Sequence, residues 1–248
     1  MSWIITGDEK YETDPYRSQV SLLLHGDGTN GSTTITDSSP TPKTVTAFGN
    51  AQISTAENKF GGASIAFDGS GDYLSIGVET DWTFLNNGTA FTAEAFVRGS
   101  AFSSGSNVIA STIVNTGSVG VFLALVDGKP VFRMARGSSG VFSLNVESNT
   151  VLSTNEWYHL AFVLTAGGMA SIYLNGILDS SGTLTSASLS SPTYSLKIGA
   201  LGNGASLFFN GYIDDFRITK GVARYTSNFT PPTAPFPDLS PTTRLTLP

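Results

Sequence analysis

The chain has 248 residues, 27 of them glycine, and only 13% are charged, against ~25% in ordinary soluble domains. Its formal net charge of -6, with no cluster of Lys or Arg, argues against a nucleic-acid partner, and the absence of cysteine removes disulfides and thiolate metal centres. No stretch approaches the ~20 apolar residues of a membrane helix, so no membrane partner is expected.

Residues 1–19 have mixed charge, a proline at Pro15 and a small apolar spot at Trp3-Ile4-Ile5. They read as an N-terminal arm, either frayed or ordered on a partner through Trp3, Tyr11 and Tyr16. The first twenty residues hold no apolar segment of signal-peptide length, so folding in the cytosol is expected.

From Val20 onward, short runs of Val, Ile, Leu, Phe and Tyr alternate with Gly, Asn, Asp and Ser clusters. Strands are expected near 20–25, 63–67, 72–76, 91–98, 107–114, 119–126, 130–136, 141–146, 157–164, 169–174, 194–199, 206–209 and 211–219. Asp127-Gly128, Asn175-Gly176 and Asn210-Gly211 carry hairpin chemistry, because these pairs tolerate positive φ. No helical period is present; Val222-Ala223-Arg224-Tyr225 makes at most one turn. Many short strands without helices make an all-β sandwich or barrel, and residues 20–230 read as one domain. Residues 231–248 form a Pro-rich tail that cannot be a central strand and should run extended over the surface or project.

The strand 211–219 should place Tyr212, Asp214, Phe216 and Ile218 on one face by simple alternation, with Asp215 opposite. A carboxylate on an apolar face needs a cation or hydrogen-bond donors, so Asp214 and Asp215 are candidates for metal binding or for holding backbone amides. His25 and His159 show no zinc spacing and read as structural hydrogen-bonding groups. Asp68-Gly69-Ser70-Gly71-Asp72 alternates oxygen ligands, yet reads first as a hairpin turn. Trp82, Tyr194, Phe208, Phe209 and Tyr212 are conceivable stacking surfaces for sugars, although most aromatics alternate as core residues do.

Six segments together carry a resemblance: Leu22-Leu23-Leu24-His25-Gly26-Asp27-Gly28, Phe60 to Gly69, Phe91 to Val97, Trp157 to Phe162, Tyr173-Leu174-Asn175-Gly176 and Ile213 to Ile218. In order and spacing they resemble the laminin-G-like, concanavalin A-like lectin/glucanase superfamily from about Val20 to Phe236. The resemblance implies a jelly-roll sandwich of two antiparallel sheets, one of them concave. It also implies a calcium ion where loops meet the sandwich edge, with Asp27, Asp214 and Asp215 as the leading ligands and Asp37, Asp68 and Asp72 as further candidates. Glycosidases of this resemblance carry paired carboxylates on one strand, as in Glu-x-Asp-x-Glu; here Glu94 has only Thr92, Phe96 and Arg98 on its face, so no catalytic pair is expected.

The ending Thr219 to Pro232 looks like the endings of such domains in bacteriophage structural proteins. That likeness implies a non-catalytic virion protein, a head decoration, fibre or tail adhesin on the virion surface. Its partners would be other virion proteins, host surface polysaccharide and further copies of itself. A free carbohydrate-binding protein and a polysaccharide depolymerase are the alternatives.

Overall fold

The computed structural model describes residues 13–102, 105–114, 119–136, 142–185 and 194–239. Its strands are β1 Val20–Leu24, β2 Val45–Phe48, β3 Gln52–Ser54, β4 Ser64–Asp68, β5 Tyr73–Ile76, β6 Phe91–Gly99, β7 Ser106–Ser111 and β8 Val119–Val126. They continue with β9 Lys129–Arg136, β10 Phe142–Glu147, β11 Tyr158–Leu164, β12 Met169–Leu174, β13 Ile177–Thr183, β14 Leu196–Ile198 and β15 Asn210–Lys220.

Antiparallel pairing builds two sheets. One runs β13-β12-β11-β6-β15-β4-β3, with β1 also on β15; the other runs β10-β9-β8-β7-β14-β5-β2. This is the jelly-roll sandwich of an all-β domain. Inward-facing residues of both sheets, such as Phe91, Ala93, Ala95 and Val97 of β6 against Phe132 and Met134 of β9, make one continuous core.

The hairpins at Asp127-Gly128 and Asn175-Gly176 form as the residue pairs predict, with φ of 50° and 80° in the first and 48° and 79° in the second. Asn210-Gly211 does not turn. These residues open β15 opposite Asp68 and Phe67, and glycine is required because a Cβ at position 211 would stand 2.1 Å from the Arg98 carbonyl oxygen. Residues 206–209 are likewise not a strand: Leu207 has a φ of 57° and Phe209 N–H donates to the Gly199 carbonyl at 2.8 Å. Asp68 to Asp72 crosses between the sheets rather than making a hairpin. Asp72 pins that crossing, accepting from the amides of Asp68 at 2.8 Å and Asn50 at 2.5 Å.

Three strands escape the pattern, β2, β3 and β13, because they are short or half polar. A 3-10 helix over Glu79–Asn86 also escapes it, burying Trp82, Phe84 and Leu85 in its eight residues. Val222 to Tyr225 makes no helical turn and runs irregularly.

The outer face of the first sheet is where the expected boundaries shift. Asp14 and Phe236, assigned to arm and tail, are each 2% exposed, and Thr13 bridges in parallel to Leu239. Residues 221–239 form a strap lying across that face. Phe236 packs with Val20, Leu23 and Phe96, and Ala223, Tyr225 and Phe229 pack on Ala161, Val163 and Tyr173. The strap explains why β6 is buried on both faces up to Val97.

Candidate functional site

Under the strap, the polar side chains of the outer face close on themselves. Glu94 Oε1 accepts from Arg217 Nε at 3.0 Å and Nη2 at 2.8 Å, and its Oε2 accepts from the Tyr225 hydroxyl at 2.7 Å. Asp14 accepts from Arg217 Nη1 at 3.2 Å and from both terminal nitrogens of Arg224 at 3.0 and 2.6 Å. Two carboxylates thus face two guanidinium groups. Burial pushes the Glu94 carboxyl up, but Arg217, His159 and Arg224 together more than offset it and hold the group well below the usual carboxylate range. His159 sits beside Glu94 with Nε2 3.3 Å from Oε2, too poorly directed to count as a hydrogen bond, within a cage of Phe96, Tyr225, Phe229 and Phe236 rings. A carboxylate held this way has neither an exposed edge nor a proton to give near pH 7, so Glu94 is a structural group.

The Asp214-Asp215 pair differs from simple alternation. Between Asp214 opposite Phe96 and Arg217 opposite Glu94, β15 carries one extra residue. Asp215 takes a φ of 48°, in the left-handed region that aspartate tolerates better than most residues. The bulge restores Phe216 and Ile218 to the core beside Ile213 and turns Asp214 away from it. Tyr212 and Asp214 therefore do not share a face with Phe216 and Ile218.

The bulge falls where one edge of β15 passes from β4 to β1, and the carboxylates fill the gap. Asp214 Oδ2 accepts from the amides of Lys59 at 2.7 Å and Phe60 at 3.0 Å. Asp215 holds His25 Nδ1 at 2.5 Å and the Phe236 amide at 2.7 Å, while Asp238 meets His25 Nε2 at 3.0 Å. Burial disfavours a charged His25, yet Asp215 and Asp238 together push it up to about 10.

Of the leading calcium candidates, Asp27, Asp214 and Asp215 do meet at this corner, each within electrostatic reach of another. Asp214 Oδ1 is buried with no hydrogen-bond partner. Burial, with Asp215 and Asp27 nearby, pushes the Asp214 carboxyl up to about 7. Asp27 rests its carboxylate over Gly61, 1.8 Å from where a Cβ would stand. Both oxygens of Asp215 are already engaged. Among the described residues no three or more His, Cys, Asp or Glu side chains are arranged to hold a metal ion. Asp37 caps the amides of Leu23, Ser39 and Lys43 instead.

An open site lies farther along the same outer face. Cross-strand register lines up Arg98, Tyr212, Ala66 and Gln52 on β6, β15, β4 and β3. The small Ala66 between two larger neighbours leaves a depression, part of a trough of about 600 Å³. Thr33, Asn50, Gln52, Asp68, Ser100, Asn210 and Tyr212 line it. Asn50 donates to Asp68 Oδ2 at 3.2 Å, and Asp68 Oδ1 accepts from the Ser70 amide at 2.7 Å. The side-chain amides of Gln52 and Asn210 and the hydroxyls of Ser100, Thr33 and Tyr212 have no hydrogen bond to any described residue. Arg98 lies 5.9 Å from the Tyr212 ring and pairs with Glu57 at 3.1 Å. Half-exposed rings and unpaired amides are what sugar recognition uses.

Of the aromatics singled out for sugar stacking, only Tyr212 lines the trough. Trp82 and Phe209 are fully buried, and Trp82 donates its indole N–H to the Ile76 carbonyl. Asn50, Gln52 and Ser100 carried no local signal, and Asn210 only a turn signal; the pairing of distant strands brings them together.

The Laminin_G_3 family model, described as the concanavalin A-like lectin/glucanases superfamily, matches residues 68–224. The chain belongs to that superfamily. No curated protein matches it. Among solved structures, the binding domain of botulinum neurotoxin serotype C1 superposes with a TM-score of 0.60 at 12% identity, over 82% of this chain and 49% of that one. The binding domain of botulinum neurotoxin DC in complex with SialylT gives 0.59 at 14%, over 90% and 49%. Domain 4 of AbnA, a GH43 extracellular arabinanase from Geobacillus stearothermophilus, in complex with arabinotriose, gives 0.60 at 19%, over 82% and 93%. The chain thus spans about half the length of the neurotoxin binding domains it matches. At these identities the likeness is one of fold.

Proposed function

We propose that this is a non-catalytic, lectin-like protein that binds glycans through the Tyr212 trough and is carried on the surface of a bacteriophage particle. The observation that carries the binding reading is the trough itself: the Tyr212 ring beside four polar side chains, Thr33, Gln52, Ser100 and Asn210, that no described residue satisfies. The sugar complexes named for two structural neighbours, SialylT and arabinotriose, support it at the level of fold. Absence of catalysis rests on Glu94, whose carboxylate is closed off by Arg217, Tyr225 and the strap.

The virion setting rests on the likeness of Thr219 to Pro232 to endings in phage structural proteins. There, many copies would turn weak single-site contacts with host polysaccharide into firm attachment. Antibody labelling of purified particles tests the setting, with label on head or tail expected and unlabelled particles contradicting it. Incubation of the isolated protein with host capsule tests the rest. Retention without release of reducing ends is expected; release of reducing ends would make the protein a depolymerase.

A calcium ion at the Asp27–Asp214 corner is a secondary proposal, favoured by the orphaned Asp214 Oδ1. Asp214 and Asp27 would hold it, and its charge would offset the buried carboxylate.

A further inference from the structure

Resting on the glycan reading above, we infer that the trough selects sugars without acidic groups. Its lining contains two carboxylates, Asp68 and Asp72, and no cation. Asp72 faces inward, holding the amides of Asn50 and Asp68. Asp68 is exposed, and its two bonds to Asn50 and Ser70 leave lone pairs free to accept from further donors. The nearest guanidinium, Arg98, is set against Glu57 at 3.1 Å and donates to Asn155 at 3.1 Å, so it offers no open positive charge to the trough.

A sugar hydroxyl can donate to Asp68, accept from the Gln52 and Asn210 amides and stack a ring face on Tyr212. A carboxylate, sulfate or phosphate in its place would meet Asp68 as a like charge. Two like charges ~4 Å apart in a solvent-exposed setting repel enough for about fivefold weaker binding. The ligand class is therefore a neutral, hydroxyl-rich glycan. The chemistry differs from that of a site that binds sialic acid, although the fold is shared with a protein solved in complex with SialylT.

The test is a printed array of neutral, sialylated, uronic-acid and sulfated glycans, probed with the full chain at physiological salt, alongside Q52A, Y212A and D68N. Gln52 is an edge-strand residue whose side chain has no hydrogen-bond partner among the described residues, so Q52A keeps the fold and separates loss of binding from loss of structure. The expected result is binding confined to neutral glycans, at least tenfold weaker in Y212A and Q52A. In D68N, acidic counterparts should gain about fivefold relative to neutral ones. Preferred binding to an acidic glycan, still lost in Q52A and Y212A, would overturn the selectivity while leaving the trough as the site. Binding untouched by Q52A and Y212A would overturn the trough. No binding to any glycan would overturn the glycan reading and this inference with it.

Discussion

Glu94 accepts two bonds from Arg217 and one from Tyr225, all away from water. E94Q would keep the shape and leave the Arg217 charge half unpaired, a loss of ~3–5 kcal/mol by the measure of other buried pairs broken on one side. Urea unfolding at pH 7 reads it directly. Asp214 behaves in the opposite sense. Its folded-state carboxyl titrates near 7, above the ordinary 3.8, so the folded state favours the proton and the ionised form destabilises increasingly as pH rises from about 4 to about 7. D214N in calcium-free buffer is expected to gain ~1–2 kcal/mol at pH 8 and nothing at pH 3.5. If calcium sits at this corner, adding it raises the wild-type melting temperature and leaves that of D214N unmoved. The adjacent aspartates were visible in the sequence as an anomaly that needed donors or a cation. Their faces were not, because one inserted residue at a bulge breaks period-2 counting and no residue type announces it.

At the scale of elements, the Asn175-Gly176 hairpin does two jobs. It reverses the chain between β12 and β13, and it seats the strap, with Phe229 N–H donating to the Gly176 carbonyl at 2.8 Å and Asn228 Oδ1 accepting from the Leu178 amide at 2.8 Å. A Cβ on Gly176 would stand 2.0 Å from the Phe229 carbonyl oxygen, at a φ of 79° that L-residues avoid. G176A should therefore lose ~2 kcal/mol and open residues 221–239 to limited proteolysis, while G221A, which meets nothing within 4 Å, carries only the conformational penalty. The turn was legible because Asn-Gly has a local conformational meaning. The strap was legible only as proline-rich chain excluded from a sheet. What it covers depends on Phe229 and Phe236 meeting strands more than fifty residues away, which no window of sequence reports. Asn210-Gly211 shows the same limit: the dipeptide signals positive φ, but here the glycine serves close backbone approach inside β15.

For the whole molecule, the two clamps on the strap set a pH window. The Glu94 carboxyl lies below its ordinary 4.5, so its contribution is present above about 4.5 and is lost as pH falls below that. His25 lies above its ordinary 6.5, so its contribution is full below about 6.5 and is lost as pH rises through about 10. The ionised Asp214 also works against the fold toward neutral pH. Thermal stability should therefore peak between about 4.5 and 6.5, and H25N should flatten the alkaline limb. The sandwich and its family were readable from alternating hydrophobicity and the order of six motifs. The trough was not, since it exists only where four strands bring Arg98, Tyr212, Ala66 and Gln52 into one row.

That row is the center of the account, and an amide chemical-shift titration of the full chain with the strongest neutral glycan from the array tests it most directly. The predicted shifts cluster at Asn50, Gln52, Ala66, Asn210 and Tyr212, with the sugar recovered intact. Shifts centred on Glu94, Arg217 and Phe236 beneath the strap, or a cleaved sugar, would contradict it.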